Sequence, residues 1–211
     1  MQVMIVEDQP LVVEGLRSVL TEIDSEPDIR SSVSGDLNPN YGDDLADVYG
    51  VLRVGQGGTW DLATDSLADI TWVGFTGRTV PAEVARAFDT AARARDAAVA
   101  LVQRATRAGD DLRGWQVGRA AREVLEGAGY RDEIWHRTGH SLGETVHGNG
   151  VNMDDYETHD DRRLLPGTGF TIEPGLYFPT FGVRTEINVF VTDRDALVTG
   201  PLQDRVLPLV G

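Results

Sequence analysis

The chain has no cysteine, no lysine and no apolar run approaching the ~20 residues of a membrane-spanning helix. Without cysteine there is no disulfide, no thiol nucleophile and no thiolate-ligated zinc. Every basic residue is arginine, and 19 of them stand against 34 acidic residues among 211, for a formal net charge of −15. A surface of that sign repels nucleic acid and anionic membranes. It attracts divalent cations and admits neutral or cationic small molecules, although a high-salt habitat or GC-rich codon usage produces the same bias without any function. The opening MQVMIVEDQP lacks the basic and apolar regions of a signal peptide. A soluble cytoplasmic protein that binds neither nucleic acid nor membrane is therefore expected. At 41% hydrophobic residues, residues 1–211 suffice for one domain with a substantial core.

Residues 9–23 read as a helix, with Asp8 as cap, Pro10 in the first turn and Val12, Val13, Leu16, Val19, Leu20 and Ile23 on one face. From Glu26 to Gly58 the chain is rich in Asp, Asn, Gly and Ser, the composition of loops and brief strands. TWDLA and LADITWVGF, with a polar turn around Thr64 to Ser66, predict a hairpin over 59–75. Pro81 opens a long helix to about Arg107, with Val84, Phe88, Ala91, Ala98, Val99 and Val102 facing inward and Gly109 ending it. A second helix, 114–126, buries Val117, Ala121, Val124 and Leu125. Short strands follow around 137–151, 168–178, 182–192 and 196–199. The order predicts an α+β domain with a mainly antiparallel sheet.

All four histidines lie between His136 and His159, and two glutamates follow in strand-like runs, Glu173 in FTIEPGLYF and Glu186 in VRTEINVFV. With Asp61 and Asp69 from the hairpin, the chain can bring four carboxylates and one or two imidazoles together, the raw material of a metal-dependent hydrolase. A pair of carboxylates 4 Å apart repels by about 4 kcal/mol at an effective dielectric of 20, so four of them require protons or cations. Two divalent ions would balance the set. Asp69 lies in the apolar run ADITW, where an unpaired carboxylate is costly. The same argument applies to Glu173 beside Ile172 and to Glu186 beside Ile187, whereas Asp65 reads as a turn former.

From about Val33 onward these motifs resemble the pita-bread metallopeptidases, the family of methionine aminopeptidase, Xaa-Pro aminopeptidase and prolidase. HRTGHSLGETVHGNG is similar to that family's segment in which a metal-binding histidine is followed seven residues later by a substrate-facing one. TWDLA and SLADITWVGFTG resemble its two aspartate segments, and FTIEPGLYF and FGVRTEINVFVT its two glutamate strands. The resemblance implies a pita-bread fold: a curved, mainly antiparallel sheet with helices packed on its outer face. It implies Asp61, Asp69, His140, Glu173 and Glu186 as ligands of two divalent metal ions, with manganese first and cobalt, zinc or iron as alternatives, because an oxygen-rich set does not select one metal. A water between two such ions loses a proton easily, and the ions stabilise the oxyanion formed when it attacks an amide. Glu173 is expected to take that proton, and His147 and His136 to contact substrate or the tetrahedral intermediate. Arg184 is expected to orient a ligand carboxylate and to border the substrate.

Two departures from the family pattern stand out. An upstream Asn-Pro-His-Tyr-like stretch that lines the family's pocket reads Asn38, Pro39, Asn40, Tyr41 here, and Asn40 can hydrogen-bond to substrate but cannot act as acid or base. Residues 1–32 read as only a short helix and loop, where Xaa-Pro peptidases carry a separate N-terminal domain. A more open cleft, or one completed by the second subunit of a homodimer, is expected. HRTGHS, HGNG and the short interval between the two glutamates look most like Xaa-Pro peptidases, acting on small peptides with proline in second position. The alternatives are a methionine aminopeptidase and a catalytically silent domain that binds peptides or proteins.

Overall fold

In the computed structural model of the chain, the described residues are 3–6, 53–54, 59–61, 66–75, 77–143, 145–199 and 202–208. The helix expected over 9–23, Asn40 and the loops of 26–52 lie outside them. Strands β1 (Val3–Val6), β2 (Arg53–Val54), β3 (Thr59–Asp61), β4 (Ser66–Ala68) and β5 (Trp72–Phe75) come first. Helices α1 (Ala82–Ala108) and α2 (Gly114–Gly127) separate them from β6 (Ser141–Leu142), β7 (Gly169–Ile172), β8 (Gly175–Phe178), β9 (Phe181–Arg184), β10 (Ile187–Val191), β11 (Ala196–Thr199) and β12 (Leu207–Pro208). No described helix is long and apolar enough to cross a membrane.

The strands form two four-stranded sheets, β12-β5-β1-β2 and β11-β10-β7-β6, and two hairpins, β3-β4 and β8-β9. Pairing is antiparallel except for β1 with β2 and β12 with β5. The mixture of helices and mainly antiparallel sheets is the expected α+β architecture. The aspartate hairpin forms over β3 and β4, with Asp61 opposite Ser66, but its expected second arm stops at Ala68: Asp69 and Ile70 lie outside any strand, and β5 pairs with β1 and β12 instead.

Both helices follow from their periodicity. In α1, Val84, Phe88, Ala91, Ala98 and Val102 are fully buried, while Val99 is half-buried at the edge of that stripe. Gly109 ends the helix at φ 72°, a left-handed conformation that glycine adopts without a Cβ clash. α2 buries Val117, Ala121 and Leu125, and its start is tied by the Gln116 side chain, which accepts from the Arg113 N–H at 2.9 Å. These faces join Phe170, Ile172, Leu176, Val183, Ile187 and Val189 of the strands in one core.

The glutamate runs are not continuous strands. β7 ends at Ile172 and β8 begins at Gly175; β9 ends at Arg184 and β10 begins at Ile187. At each break the chain leaves one sheet for another, since β7 and β10 pair together and β8 and β9 form their own hairpin. Glu173 and Glu186 occupy these breaks. Among the described residues, the strand expected over 137–151 is reduced to β6, and a bridge between Gly139 and Met153 joins the chain before it to its surroundings.

Candidate metal centre and active site

The breaks in the strands turn carboxylates toward one another. His140 Nε2 lies 3.4 Å from Asp69 Oδ2 and 3.5 Å from Glu173 Oε1. One ligand atom each from Asp69, His140 and Glu186 falls within 4.8 Å of the others. Donors about 2.0–2.2 Å from one ion stand roughly 3 Å apart when adjacent, so the cluster is close to the spacing a cation would impose. Asp69, His140, Glu173 and Glu186 are all buried.

Each of these residues is held by a polar residue that stands two positions from a candidate ligand, and for all but Glu173 that ligand is a different one. Thr71 donates its hydroxyl to Glu186 Oε2 and accepts from Arg184 Nη2 at 3.0 Å. Thr171 donates to Glu173 Oε1 at 3.2 Å and accepts from the His140 N–H at 2.9 Å. Asn188 Oδ1 accepts from the Asp69 N–H at 3.1 Å. Arg184 lies 3.6 Å from Glu173 Oε2 and 3.8 Å from Glu186 Oε2, so it faces both glutamates. Thr71, Thr171 and Asn188 were not anticipated. The signal was available: in extended chain, residues two apart share a face, and each of them is a polar residue two away from a candidate ligand.

The electrostatics are those of crowded, buried carboxylates facing the Arg184 guanidinium. Burial works against charge on the His140 imidazole, but Asp69, Glu173 and Glu186 outweigh it and carry its pKa up to about 9. Burial and the charges of Asp69 and Glu173 push the Glu186 carboxyl up to about 8, against the pull of Arg184 and His140. Burial also opposes the charge of Arg184, which Glu186, Tyr177 and Glu173 nonetheless hold firmly protonated. The cluster thus neutralises itself with protons, which a divalent cation would displace. The donor set fits such a cation.

His147 is exposed, and its ring lies 4.2 Å from that of His140, at the cluster. His136 is buried and reached through Tyr177, whose hydroxyl is 2.8 Å from Nε2, while Nδ1 is 2.6 Å from the Arg137 carbonyl. Burial lowers the His136 pKa and keeps the ring neutral, so Nδ1 donates to the carbonyl and Nε2 accepts from Tyr177. His159 lies on an exposed loop, against Asp155 at 2.7 Å and stacked on Trp115. Asp61 ends β3, and its side chain, like Asn40, lies outside what the structure describes.

Gly139 is required at this point of the fold. A Cβ there would sit 1.9 Å from the Thr171 carbonyl oxygen, so only glycine lets the chain before His140 lie against β7.

An imidazole and three carboxylates, buried together and braced by an arginine, define a candidate metal-dependent hydrolase. The profile of Metallopeptidase family M24 matches residues 56–193, and the chain belongs to that family. It is 43% identical over 83 residues to "Probable dipeptidase PepE" of Mycobacterium tuberculosis, an alignment covering 39% of this chain and 21% of that protein. Its fold matches the crystal structure of dipeptidase PepE from Mycobacterium ulcerans with a TM-score of 0.60 and 32% identity, over 76% of this chain and 42% of that one. A recombinant prolidase from Thermococcus sibiricus matches with a TM-score of 0.58 and 27% identity, over 68% and 36%. The chain therefore spans less than half the length of the relatives it matches.

Proposed function

We propose that the chain is the pita-bread catalytic domain of a cytoplasmic, binuclear metal-dependent peptidase that cleaves the bond ahead of proline in small peptides. The observation that carries this reading is the convergence of Asp69, His140, Glu173 and Glu186 from three separate parts of the chain into one buried cluster. Similarity to a prolidase supports the proline preference, and similarity to dipeptidases supports small substrates.

Two divalent ions, manganese first among the candidates, would be held by these four residues and Asp61, and would supply an acidified water and positive charge for the developing oxyanion. Glu173 is the proton acceptor of this scheme: Thr171 fixes Oε1 and Arg184 faces Oε2, so the carboxylate is oriented before substrate arrives. His147, exposed beside His140, donates a hydrogen bond to the oxyanion or the scissile amide. His136 is held neutral and meets substrate by way of the Tyr177 hydroxyl. Arg184 and Asn40 complete the substrate-binding set, and a homodimer closes the cleft.

The test is hydrolysis of Ala-Pro, Met-Pro, Ala-Pro-Ala and Met-Ala-Ser by metal-stripped protein with and without manganese, cobalt or zinc. Metal-restored cleavage confined to the proline peptides is expected, with loss of both metal and activity in Glu186→Ala. Cleavage of Met-Ala-Ser alone would make the protein a methionine aminopeptidase, and full activity in the Glu186 variant would remove that residue from the site.

A further inference from the structure

The two glutamates at the cluster are held with different firmness by the backbone. The Glu173 N–H reaches the Thr138 carbonyl at 2.6 Å. At the other break, Thr185 N–H reaches the Pro174 carbonyl at 3.4 Å and Glu186 N–H reaches the Thr71 carbonyl at 3.2 Å, both at the long end of hydrogen bonding. The segment carrying Glu186 thus lacks a firm ladder on its own.

A side chain from α1 supplies what the ladder does not. Arg95 is an arginine inside an alanine-rich helix, and its side chain is 5% exposed. Its Nη1 donates to Thr185 Oγ1 at 2.9 Å and to the Gln203 carbonyl at 2.9 Å, and its Nε donates to Asp96 on the solvent side at 2.8 Å. Alternation explains the arrangement: Arg184 and Glu186 turn toward the cluster, and Thr185 between them turns the other way, toward α1. Gln203 is itself clamped to β5, its Oε1 accepting from the Val73 N–H and its Nε2 donating to the Val73 carbonyl, each at 2.7 Å. β5 follows directly on Asp69 and Thr71. Arg95 therefore ties, from behind, the segment that carries Glu186 to the strand that extends from Asp69.

We propose that Arg95, through Thr185 and Gln203, is a positioning residue that sets the separation of Asp69 and Glu186 and thereby the affinity of the centre for divalent metal. The inference rests on the reading of Asp69 and Glu186 as metal ligands. Desolvating a guanidinium is costly; the carboxylate partner of Arg95, Asp96, is exposed, and the ties that point into the protein go to a hydroxyl and a carbonyl at this junction.

The decisive variant is Thr185→Val, which removes the hydroxyl and keeps the shape, together with Thr185→Ser, which restores it. Manganese affinity is measured by titration calorimetry on metal-stripped full-length protein, and the thermal midpoint of the metal-free form is followed alongside. Outer contacts of this kind typically change metal affinity by about 10–100-fold. Thr185→Val is expected to weaken manganese at least about tenfold with the metal-free midpoint little changed, and Thr185→Ser to recover it. Arg95→Lys, which loses the Gln203 carbonyl as well, is expected to weaken manganese at least as much as Thr185→Val, and Thr185→Val to add little on top of it, because the Thr185 contact is then already cut. Wild-type affinity in Thr185→Val, or a loss of affinity only in proportion to a lowered midpoint, overturns the proposal. Failure of wild-type protein to bind manganese, cobalt or zinc overturns instead the reading of the site on which it rests.

Discussion

Protons and metal compete for the same atoms at His140 and Glu186. Their ordinary pKa values of 6.5 and 4.5 are carried up to about 9 and about 8 in the metal-free fold. A group whose pKa is raised by folding stabilises the folded state fully below its unfolded value and loses that contribution as pH rises through the folded one. Metal-free protein should therefore lose stability from about pH 4.5, where the Glu186 contribution begins to fall, to about pH 9, most steeply between about pH 6.5 and about pH 8, where both contributions are falling. A divalent ion requires both groups bare. Binding near pH 7 should release protons, and apparent affinity should climb by up to about tenfold per pH unit for each proton displaced, levelling off above the folded values. Calorimetry in buffers of different ionisation enthalpy reads the release directly. A buffer-independent heat at pH 7 would show that the two residues are already deprotonated and that the crowding argument is wrong.

At the scale of elements, the site depends on how closely the histidine loop lies against β7. His140 N–H donates to Thr171 Oγ1 at 2.9 Å, and Thr171 N–H donates to the His140 carbonyl at 2.8 Å. Gly139 makes that approach sterically open. Gly139→Ala forces a Cβ to within 1.9 Å of a backbone oxygen, so loop and strand must part. Overpacking of this kind costs about 1–3 kcal/mol, and the displaced imidazole should also lose metal. A urea unfolding midpoint equal to wild type, with metal binding intact, would show that the loop can slide without consequence. The helices and the buried carboxylates Asp69, Glu173 and Glu186 rest on local signals, a 3.6-residue stripe in α1 and α2 and acids within apolar runs, whereas His140 and Asp61 as ligands rest on the family resemblance. The interruptions at Glu173 and Glu186 were not legible, because apolar residues flank both breaks, Ile172 and Leu176 about the first and Val183 and Ile187 about the second, and only the partner strands reveal the change of sheet. Arg95 escaped notice for a related reason. Its spacing, four after Ala91 and three before Ala98, puts it on the buried stripe of α1, but a guanidinium argues for solvent, and only tertiary contact with Thr185 and Gln203 satisfies it inside. The loop over 143–150 misled through its position between strands; its glycines and the exposed His147 mark chain that no sheet claims.

The whole molecule carries a formal charge of −15, in which every arginine is already counted. Arg184 and Arg95 are spent inside the fold, the first facing glutamates of the cluster and the second tying α1 to the strands. Surface pairs such as Arg107 with Asp195 and Arg131 with Glu126 are local and exposed, and pairs of that kind contribute about 0–1 kcal/mol each. The uncompensated carboxylates repel over a Debye length, which shrinks from about 30 Å at 0.01 M salt to about 10 Å at 0.1 M. Two opposite responses to salt follow from one charge distribution. Screening relieves the repulsion that compaction intensifies, so the thermal midpoint of metal-free protein should rise by several degrees between about 10 mM and about 500 mM sodium chloride. The same screening weakens the field that gathers divalent cations at the site, so manganese affinity should fall over that range even as the fold grows more stable. Differential scanning calorimetry and manganese titration on one preparation check both. If the midpoint falls with salt, local ion pairs outweigh the net charge, and the acidic surface must be explained by something other than long-range repulsion offset by bound cations.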